Sequence, residues 1–392
     1  MKATESWDRA CNLLAVRLDA LGDVLMMTPA LRALRESRPG RRITLWTSTA
    51  GAEVAPLIPV VDETLVYDAP WMKATGPRHD SRPDFALLER LRRAHFDAAV
   101  IFTTYSQSPL PAALFCYLAG IPLRLAHCRE NPYQLLTAWV RETEPEDQQR
   151  HEVRRQLDLV ATIGARIADE RLVLRIPGKA RRRIGLLLEE AGIGHGRPWV
   201  VVHPGASAPS RRYPSEHFAA AAGQLIREAG VQVLFTGSEE ERPLVEEVRR
   251  SMGVPSWSLV GRLNLAELAA LLERTPLLIA NNTGPVHVAA ALGTPVVDLY
   301  ALTNPQHTPW RTPHRVLFHD VPCKYCYKSV CPQGHHDCLR KVAPEEVVRA
   351  ALELLQEQRP PLEVEAGILL GEEKGECRLF PLSSAVGESG QG

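Results

Sequence analysis

Two doubly wound α/β domains facing each other across a central cleft are the fold class this sequence predicts. Three observations carry the prediction. Short β-rich apolar runs alternate with longer stretches of helical period, the pattern of βαβ units and parallel sheets. The alternation breaks at 176–198, where Pro177, Gly178, Gly192, Gly194, Gly196 and Pro198 bracket a short helix, and begins again at Trp199. The chain has 392 residues, 45% of them apolar, which is enough for two cores of ordinary size.

In the first half the β-rich runs Leu13–Arg17, Ile43–Thr47, Glu63–Tyr67, Ala98–Phe102 and Leu123–Ala126 are predicted strands. Helical period fills the gaps at Val24–Ser37, Pro83–Ala94 and Pro111–Ala119. The second half gives strands at Trp199–His203, Val231–Thr236, Trp257–Val260, Leu277–Asn281 and Val296–Tyr300. Its helices are Ser215–Ala229, Glu239–Met252, Leu265–Arg274 and Pro285–Leu292. A last helix, Pro344–Gln358, opens with Pro at a first helical position and acids in the first turn. After Pro360 the periodicity fades into a Gly- and Ser-rich acidic segment, read as a mobile tail. The expected division is 1–178, 179–343, the helix 344–358 and the tail 359–392.

Composition removes several classes. Lys plus Arg and Asp plus Glu number 46 each, so there is no basic excess for general nucleic-acid binding. Eight cysteines are too sparse for a disulfide-stapled secreted domain. The first apolar run is short and broken by Arg17 and Asp19, so it reads as a buried strand and not a secretion signal. No apolar stretch is long enough to span a bilayer. The expectation is a cytoplasmic protein that can still meet a membrane surface. There is no G-x-G-x-x-G after a strand, no Walker A sequence, no H-E-x-x-H and no G-x-S-x-G, which weakens dehydrogenase, ATPase and hydrolase readings.

Four strand-to-helix turns can carry chemistry, because ligands of such sheets sit outside the carboxyl ends of the strands. In Arg17-Leu18-Asp19-Ala20-Leu21-Gly22-Asp23, Gly22 allows a tight turn, and Asp23 is either a helix cap or a general base facing the cleft. The segment His203–Pro214 holds Gly205, Ser207 and Arg211, and is either a phosphate cradle or a solvated basic loop. Thr236-Gly237-Ser238-Glu239-Glu240-Glu241 places acids at a helix start, where they suit the dipole or hold ribose hydroxyls. In Asn281-Asn282-Thr283-Gly284-Pro285-Val286-His287, free N–H groups at a helix start suit an anion, while His287 is a ligand or a structural imidazole.

Outside these turns, Cys323-x2-Cys326-x4-Cys331-x6-Cys338 encloses His335 and His336. The spacing admits structural thiols, a zinc site or a disulfide. Pro109–Ala126 reads as a buried helix and turn. Arg90, Arg92 and Arg93 are either a solvated face or a contact for phosphorylated lipid head groups.

Taken together, RLDALGDVLMMTPALRAL, YLAGIPLRLAH, VVHPGAS, RRYPSEHF, FTGSEEE, NLAELAALL and NNTGPVHVAAALGTPVVDLY resemble glycosyltransferase family 9, the ADP-heptose:lipopolysaccharide heptosyltransferases and their relatives. The resemblance runs from about Leu13 to Gln358. It implies a GT-B fold of two Rossmann-like domains, acceptor largely in the first and nucleotide-sugar in the second, with the last helix returning to the first domain. It also implies an inverting transfer of heptose, ADP-linked, to a lipopolysaccharide core acceptor in the cytoplasm or at the cytoplasmic face of the inner membrane. Asp23 matches the family's proposed base, Arg211 a basic residue that binds donor phosphates, Thr283 and Gly284 the diphosphate turn, and Glu239 or Glu241 an acid near the ribose. Ser207, Asn282 and His287 complete the expected donor side; Arg17 and Gly22 belong to the acceptor side. Asn282 stands where many members carry Asp. No metal or other cofactor is demanded by these motifs, and the nucleotide-sugar is a substrate. A same-fold transferase with another donor or glycan acceptor, a nucleotide-sugar epimerase, and a non-catalytic nucleotide-sugar-binding protein are the competing readings.

Overall fold

The β-rich runs pair into two six-stranded, wholly parallel sheets in the computed structural model, which describes residues 7–194 and 196–358. The proposed tail 359–392 lies outside the described residues. The first sheet is built from β1 (Asn12–Arg17), β2 (Arg42–Thr47), β3 (Glu63–Val66), β4 (Ala98–Ile101), β5 (Leu123–Cys128) and β6 (Ala138–Arg141), in the order β3-β2-β1-β4-β5-β6. The second holds β7 (Trp199–His203), β8 (Gln232–Phe235), β9 (Trp257–Ser258), β10 (Leu278–Asn281), β11 (Val296–Leu299) and β12 (His314–Leu317), in the order β12-β11-β10-β7-β8-β9. The two orders are the same once each sheet is counted from its own first strand. Each therefore reverses direction between its first and fourth strands, the place where doubly wound sheets bind ligands.

The helices are α1 (Leu21–Met26), α2 (Thr28–Glu36), α3 (Thr49–Ala52), α4 (Arg82–Arg93), α5 (Leu110–Leu118), α6 (Glu152–Ala161), α7 (Gly178–Glu190), α8 (Ser215–Ala229), α9 (Arg242–Met252), α10 (Leu265–Arg274), α11 (Gly284–Leu292), α12 (Asp337–Arg340) and α13 (Pro344–Glu357). The single helix expected over Val24–Ser37 is two. Pro29 brings no N–H to continue the ladder, and the Thr28 hydroxyl turns back to donate to the Leu25 carbonyl at 2.7 Å. α10 starts with a reciprocal capping box between Asn264 and Glu267.

One continuous core joins the two sheets. It runs from Leu13, Val24 and Leu31 through Val160 and Ile184 to Ala270, Leu278 and Val286. Two further cores fill the outer faces, Trp46–Leu87–Cys116 on the first sheet and Phe218–Val245–Val347 on the second. That last cluster corrects one expectation: α13 does not return to the first domain. It packs on α8, β11 and β12, because its buried face of Val347, Val348, Ala351 and Leu354 completes the outer core of the second sheet. The helix against the first domain's α2 is α6. α5 is also less buried than expected, with Leu114, Tyr117 and Leu118 exposed at helical spacing.

α1 and α11 meet where the two sheets face each other. A Cβ on Gly22 would lie 2.7 Å from His287 Cδ2, and one on Gly284 would lie 2.2 Å from Leu21 Cδ2. Each glycine thus lets the partner helix approach. Gly22 lies inside α1, so it serves this contact and not the tight turn expected of it.

Candidate functional site

The first half of the site is organised by Arg17, the last residue of β1, whose side chain is fully buried. Its Nη1 donates to Glu152 Oε1 at 2.7 Å and its Nη2 to Asp23 Oδ1 at 3.0 Å, while Nε lies 2.8 Å from Asp19 Oδ2. One guanidinium therefore ties together the end of β1, the first turn of α1 and the first residue of α6. Gln107 donates to Asp19 Oδ1 at 2.6 Å, and Gln156 donates to Glu152 Oε1 at 2.6 Å.

Burial acts on all three carboxyls in the same sense and raises them. At Glu152 the nearby cations Arg17 and Arg155 overcome it, and the group is held at about 2. At Asp19 burial wins over Arg17, and the carboxyl is pushed up to about 6. Asp23 is raised as well, by burial first, with Arg17 opposing and the Glu152 charge adding to the rise. Asp23 is the most open of the three, with a fifth of its side chain exposed.

Arg211 faces this group from the second domain. It closes a short 3-10 turn, Pro209–Arg211, and among the described residues its guanidinium makes no hydrogen bond or ion pair. Its charge is felt at Asp23, His287 and His307. It lines a small polar recess with Asn282, Tyr300 and His307. Both imidazoles are neutral, His287 buried and His307 half-buried: His287 is driven down to about 3 and His307 to about 4, in each case by desolvation first.

Beside the recess lies a cavity of about 440 Å³ at the switch point of the second sheet. Thr283 caps α11 in an extended conformation, Pro285 brings no N–H and the Val286 N–H donates to the Thr283 carbonyl at 3.0 Å, so in the first three helical residues it is Gly284 that offers the cavity an N–H without an intrahelical partner. Leu259, Leu263, Leu265 and Leu268 give it an apolar wall. Glu241 supplies a carboxylate that accepts the Ser238 N–H at 2.9 Å and lies 3.7 Å from His203 Nε2. Gly205 makes room for it, since a Cβ there would be 2.0 Å from Glu241 Oε1. An apolar wall, a carboxylate, a helix N-terminus and an unpaired Arg in sequence suit a nucleoside diphosphate.

The family model for glycosyltransferase family 9 (heptosyltransferase) matches residues 85–336. The chain belongs to this family. Among curated relatives, lipooligosaccharide heptosyltransferase 2 of Haemophilus influenzae is 30% identical over 166 residues, covering 41% of this chain and 48% of the relative. The chain spans about half the length of the curated relatives it matches. Two solved structures share its GT-B fold. A family 9 glycosyltransferase from Veillonella parvula has a TM-score of 0.73 at 24% identity, covering 90% of this chain and 99% of that one. ADP-heptose lipopolysaccharide heptosyltransferase II of E. coli has a TM-score of 0.67 at 22% identity, covering 88% and 99%.

Ser207, Glu241, Thr283 and Gly284 line the large cavity, and Asn282 and Arg211 line the polar recess. Glu239 does not line either: it points to solvent and pairs with Arg242. Arg17 is not available to an acceptor, because its fork is spent on three carboxylates. Asn282 is largely turned inward. Its amide donates to Asp298 Oδ2 and to the His307 carbonyl, both at 2.9 Å. Asp298 is fully buried, and desolvation raises it to about 8 despite that bond, so it is protonated at neutral pH. His287 is buried in the contact between α1 and α11. Sequence reading did not single out Glu152, Gln107 or His307. His151-Glu152 at the head of an apolar helical pattern is a legible helix start, but no local pattern links residue 152 to residue 17.

Among the described residues no helix is long and apolar enough to cross a membrane. Arg92 bonds Glu89 and the Leu118 carbonyl, tying the ends of α4 and α5 together.

Proposed function

We propose that this chain transfers heptose from ADP-heptose to a lipopolysaccharide core acceptor by a single, inverting displacement. The observation that carries the reading is the unpaired Arg211 beside the α11 N-terminus, set across the cleft from the carboxylates on Arg17. The adenine lies along the leucine wall, Glu241 takes ribose hydroxyls, and the diphosphate lies between the Thr283–Gly284 turn and Arg211. The acceptor hydroxyl enters from the first domain and attacks the anomeric carbon while Asp23 takes its proton. Burial raises the proton affinity of Asp23, which makes it a stronger base than a solvated carboxylate. Negative charge grows on the departing diphosphate and is met by Arg211 and the helix N-terminus, so no second acid is needed. Contact with the cytoplasmic face of the inner membrane would bring the lipid-linked acceptor to the first domain.

Calorimetric titration with ADP, UDP, GDP and CDP tests the donor side. ADP preference in the wild type, lost in Arg211→Ala, is expected; preference for another nucleotide overturns the donor assignment. On the catalytic side, Asp23→Asn should retain ADP binding and lose on the order of 10²–10⁴-fold in turnover. Unchanged turnover in that variant removes Asp23 as the base.

A further inference from the structure

A second, smaller recess lies on the first sheet, at the carboxyl ends of β1 and β4 where that sheet reverses direction. Val16, Ile101, Phe102, Trp71 and Met72 give it a largely apolar lining. The half-buried Trp71 ring packs on Phe115 with centroids 5.4 Å apart, which fixes its orientation. Asp19, Thr103 and Gln107 bring polar atoms to the same lining. The free volume is about 20 Å³, room for one water-sized group.

The polar groups are pre-set. Gln107 is held at both ends of its amide: Oε1 accepts the Thr104 N–H at 3.1 Å, and Nε2 donates to Asp19 Oδ1 at 2.6 Å. The Ser48 hydroxyl donates to the Asp19 carbonyl at 2.7 Å and holds its backbone. Asp19 thus keeps its place with no substrate bound. Thr103 is more than nine-tenths buried, and its carbonyl accepts from Arg155 and Gln156 at 2.8 and 3.1 Å. Its hydroxyl has no hydrogen-bond partner among the described residues. A buried hydroxyl left unpaired is costly, and a ligand group that pairs it is favoured by the same amount. The lining carries an acid and no cation. Arg17 is committed to its three carboxylates, and Lys73, beside Met72, reaches across the cleft to Ser329 Oγ at 3.3 Å.

We propose that this recess seats the exocyclic hydroxymethyl arm of the acceptor sugar, with Asp19 and Thr103 pairing its hydroxyl, and that it selects a neutral sugar over a sugar acid. A pyranose ring is too large for the space, whereas an arm projecting from the ring fits. The arm's methylene meets the apolar lining. Its O–H donates to the Asp19 carboxylate and accepts from the Thr103 hydroxyl. A carboxylate in place of the arm would face Asp19 with no cation to offset the repulsion. One guanidinium holds Asp19 through Nε and Asp23 through Nη2. An arm anchored at Asp19 therefore leaves its ring beside Asp23, where another hydroxyl can be deprotonated. That this sugar is the acceptor rests on the transferase reading above; the preference for a neutral arm does not.

NMR titration of the full chain with methyl glycosides at pH 7.5 tests the recess without any donor. Burial raises Asp19 to about 6, so it is ionised at that pH. In the manno and gluco series alike, four sugars share one ring and differ only in the arm, which is hydroxymethyl, methyl, hydrogen or carboxylate. In at least one series the hydroxymethyl sugar should bind best, the armless sugar about tenfold more weakly, and the uronate more weakly still. Thr103→Val keeps every charge in place. It should weaken the hydroxymethyl sugar about three- to tenfold and leave the methyl sugar unchanged, a selective loss that disturbed packing does not produce. Asp19→Asn should narrow the gap between the hydroxymethyl sugar and the uronate. Equal binding of all four sugars, tightest binding of the uronate, or no binding in either series overturns the proposal, and so does a Thr103→Val that weakens hydroxymethyl and methyl sugars alike. Calorimetry with ADP keeps the two readings apart. Discrimination among sugars without ADP binding would defeat the donor reading alone, and ADP binding with no discrimination among sugars would defeat this one alone.

Discussion

Replacing Arg17 by Met is the most informative perturbation of the first half-site. Met keeps much of the length of the side chain and removes its charge. Glu152 ordinarily titrates near 4.5 and is held at about 2 in the folded chain. At roughly 1.4 kcal/mol for each tenfold change in proton affinity, this depressed carboxyl contributes about 3 kcal/mol above pH 4.5, lost as pH falls towards 2. Without Arg17 the main opponent of burial is gone and all three carboxyls shift upward, with Glu152 still held down in part by Arg155. A raised carboxyl stabilises the fold least at high pH, so the deficit of the variant widens as pH rises. Breaking a buried ion pair by removing one partner costs about 3–5 kcal/mol. That converts to a drop of roughly 4–7 °C in Tm at pH 8 for a folded unit of this size. Scanning calorimetry at pH 5 and pH 8 reads the difference, and adding Glu152→Gln should recover part of the loss at pH 8. An equal loss at both pH values, or none, would refute the view of Arg17 as the counter-ion of three carboxyls.

Two further outcomes follow from packing and burial. Gly22→Ala should destabilise by up to about 2 kcal/mol, because overpacking against the buried His287 ring costs about 1–3 kcal/mol and exceeds the helix-propensity gain of about 1 kcal/mol; a higher Tm would show that the ring moves aside freely. The buried imidazoles His127 and His287, each near 3, and the half-buried His151 and His307, each near 4, stay neutral in the folded chain while the unfolded chain protonates near 6.5. The contribution of the rings is therefore complete above pH 6.5 and falls below it by up to about 1.4 kcal/mol per pH unit for each ring, while the raised carboxyls Asp298, below pH 8, and Asp19, below pH 6, each offset one of them. Urea midpoints at pH 7.5, 6 and 5 should decline in that order, and a constant midpoint down to pH 5 would remove the buried histidines as the cause.

The central strands of both sheets were legible because each is an apolar, β-rich run closed by a turn. The edge strands β6 and β12 were not, since Ala138–Arg141 and His314–Leu317 are short and only partly buried. Ser215–Ala229 and Leu265–Arg274 are helices over the expected residues, one closed by Gly230 in the left-handed region and the other opened by a capping box. The lining of the cavity on the second sheet was readable for a related reason: Thr283 and Gly284 come within three residues of the end of β10 and Arg211 lies in the loop after β7, so local pattern places them at the carboxyl edge of the sheet. The acceptor side was not. Arg17 reads as an open cation until Glu152, 135 residues away, is seen to occupy it. The inward turn of Asn282 likewise depends on Asp298 and the His307 carbonyl, neither adjacent in sequence.

The two halves of the site are also linked through charge, and this predicts how the base responds to the donor. In the free protein the cation Arg211 favours the ionised form of Asp23 and so lowers its proton affinity. A bound diphosphate neutralises Arg211 and adds negative charge on the same side of the cleft. Both changes raise the proton affinity of Asp23, so the base strengthens when the sugar to be transferred is in place. The acidic limb of kcat reports Asp23 in the complex, and that of kcat/KM for the donor reports it in the free protein. The limb of kcat should therefore lie at higher pH. In Arg211→Ala the free protein already lacks the opposing cation, so its kcat/KM limb should move up and the two limbs should draw together. Coincident limbs in the wild type would show that the diphosphate does not sit against Arg211, and would move the donor to another part of the cleft.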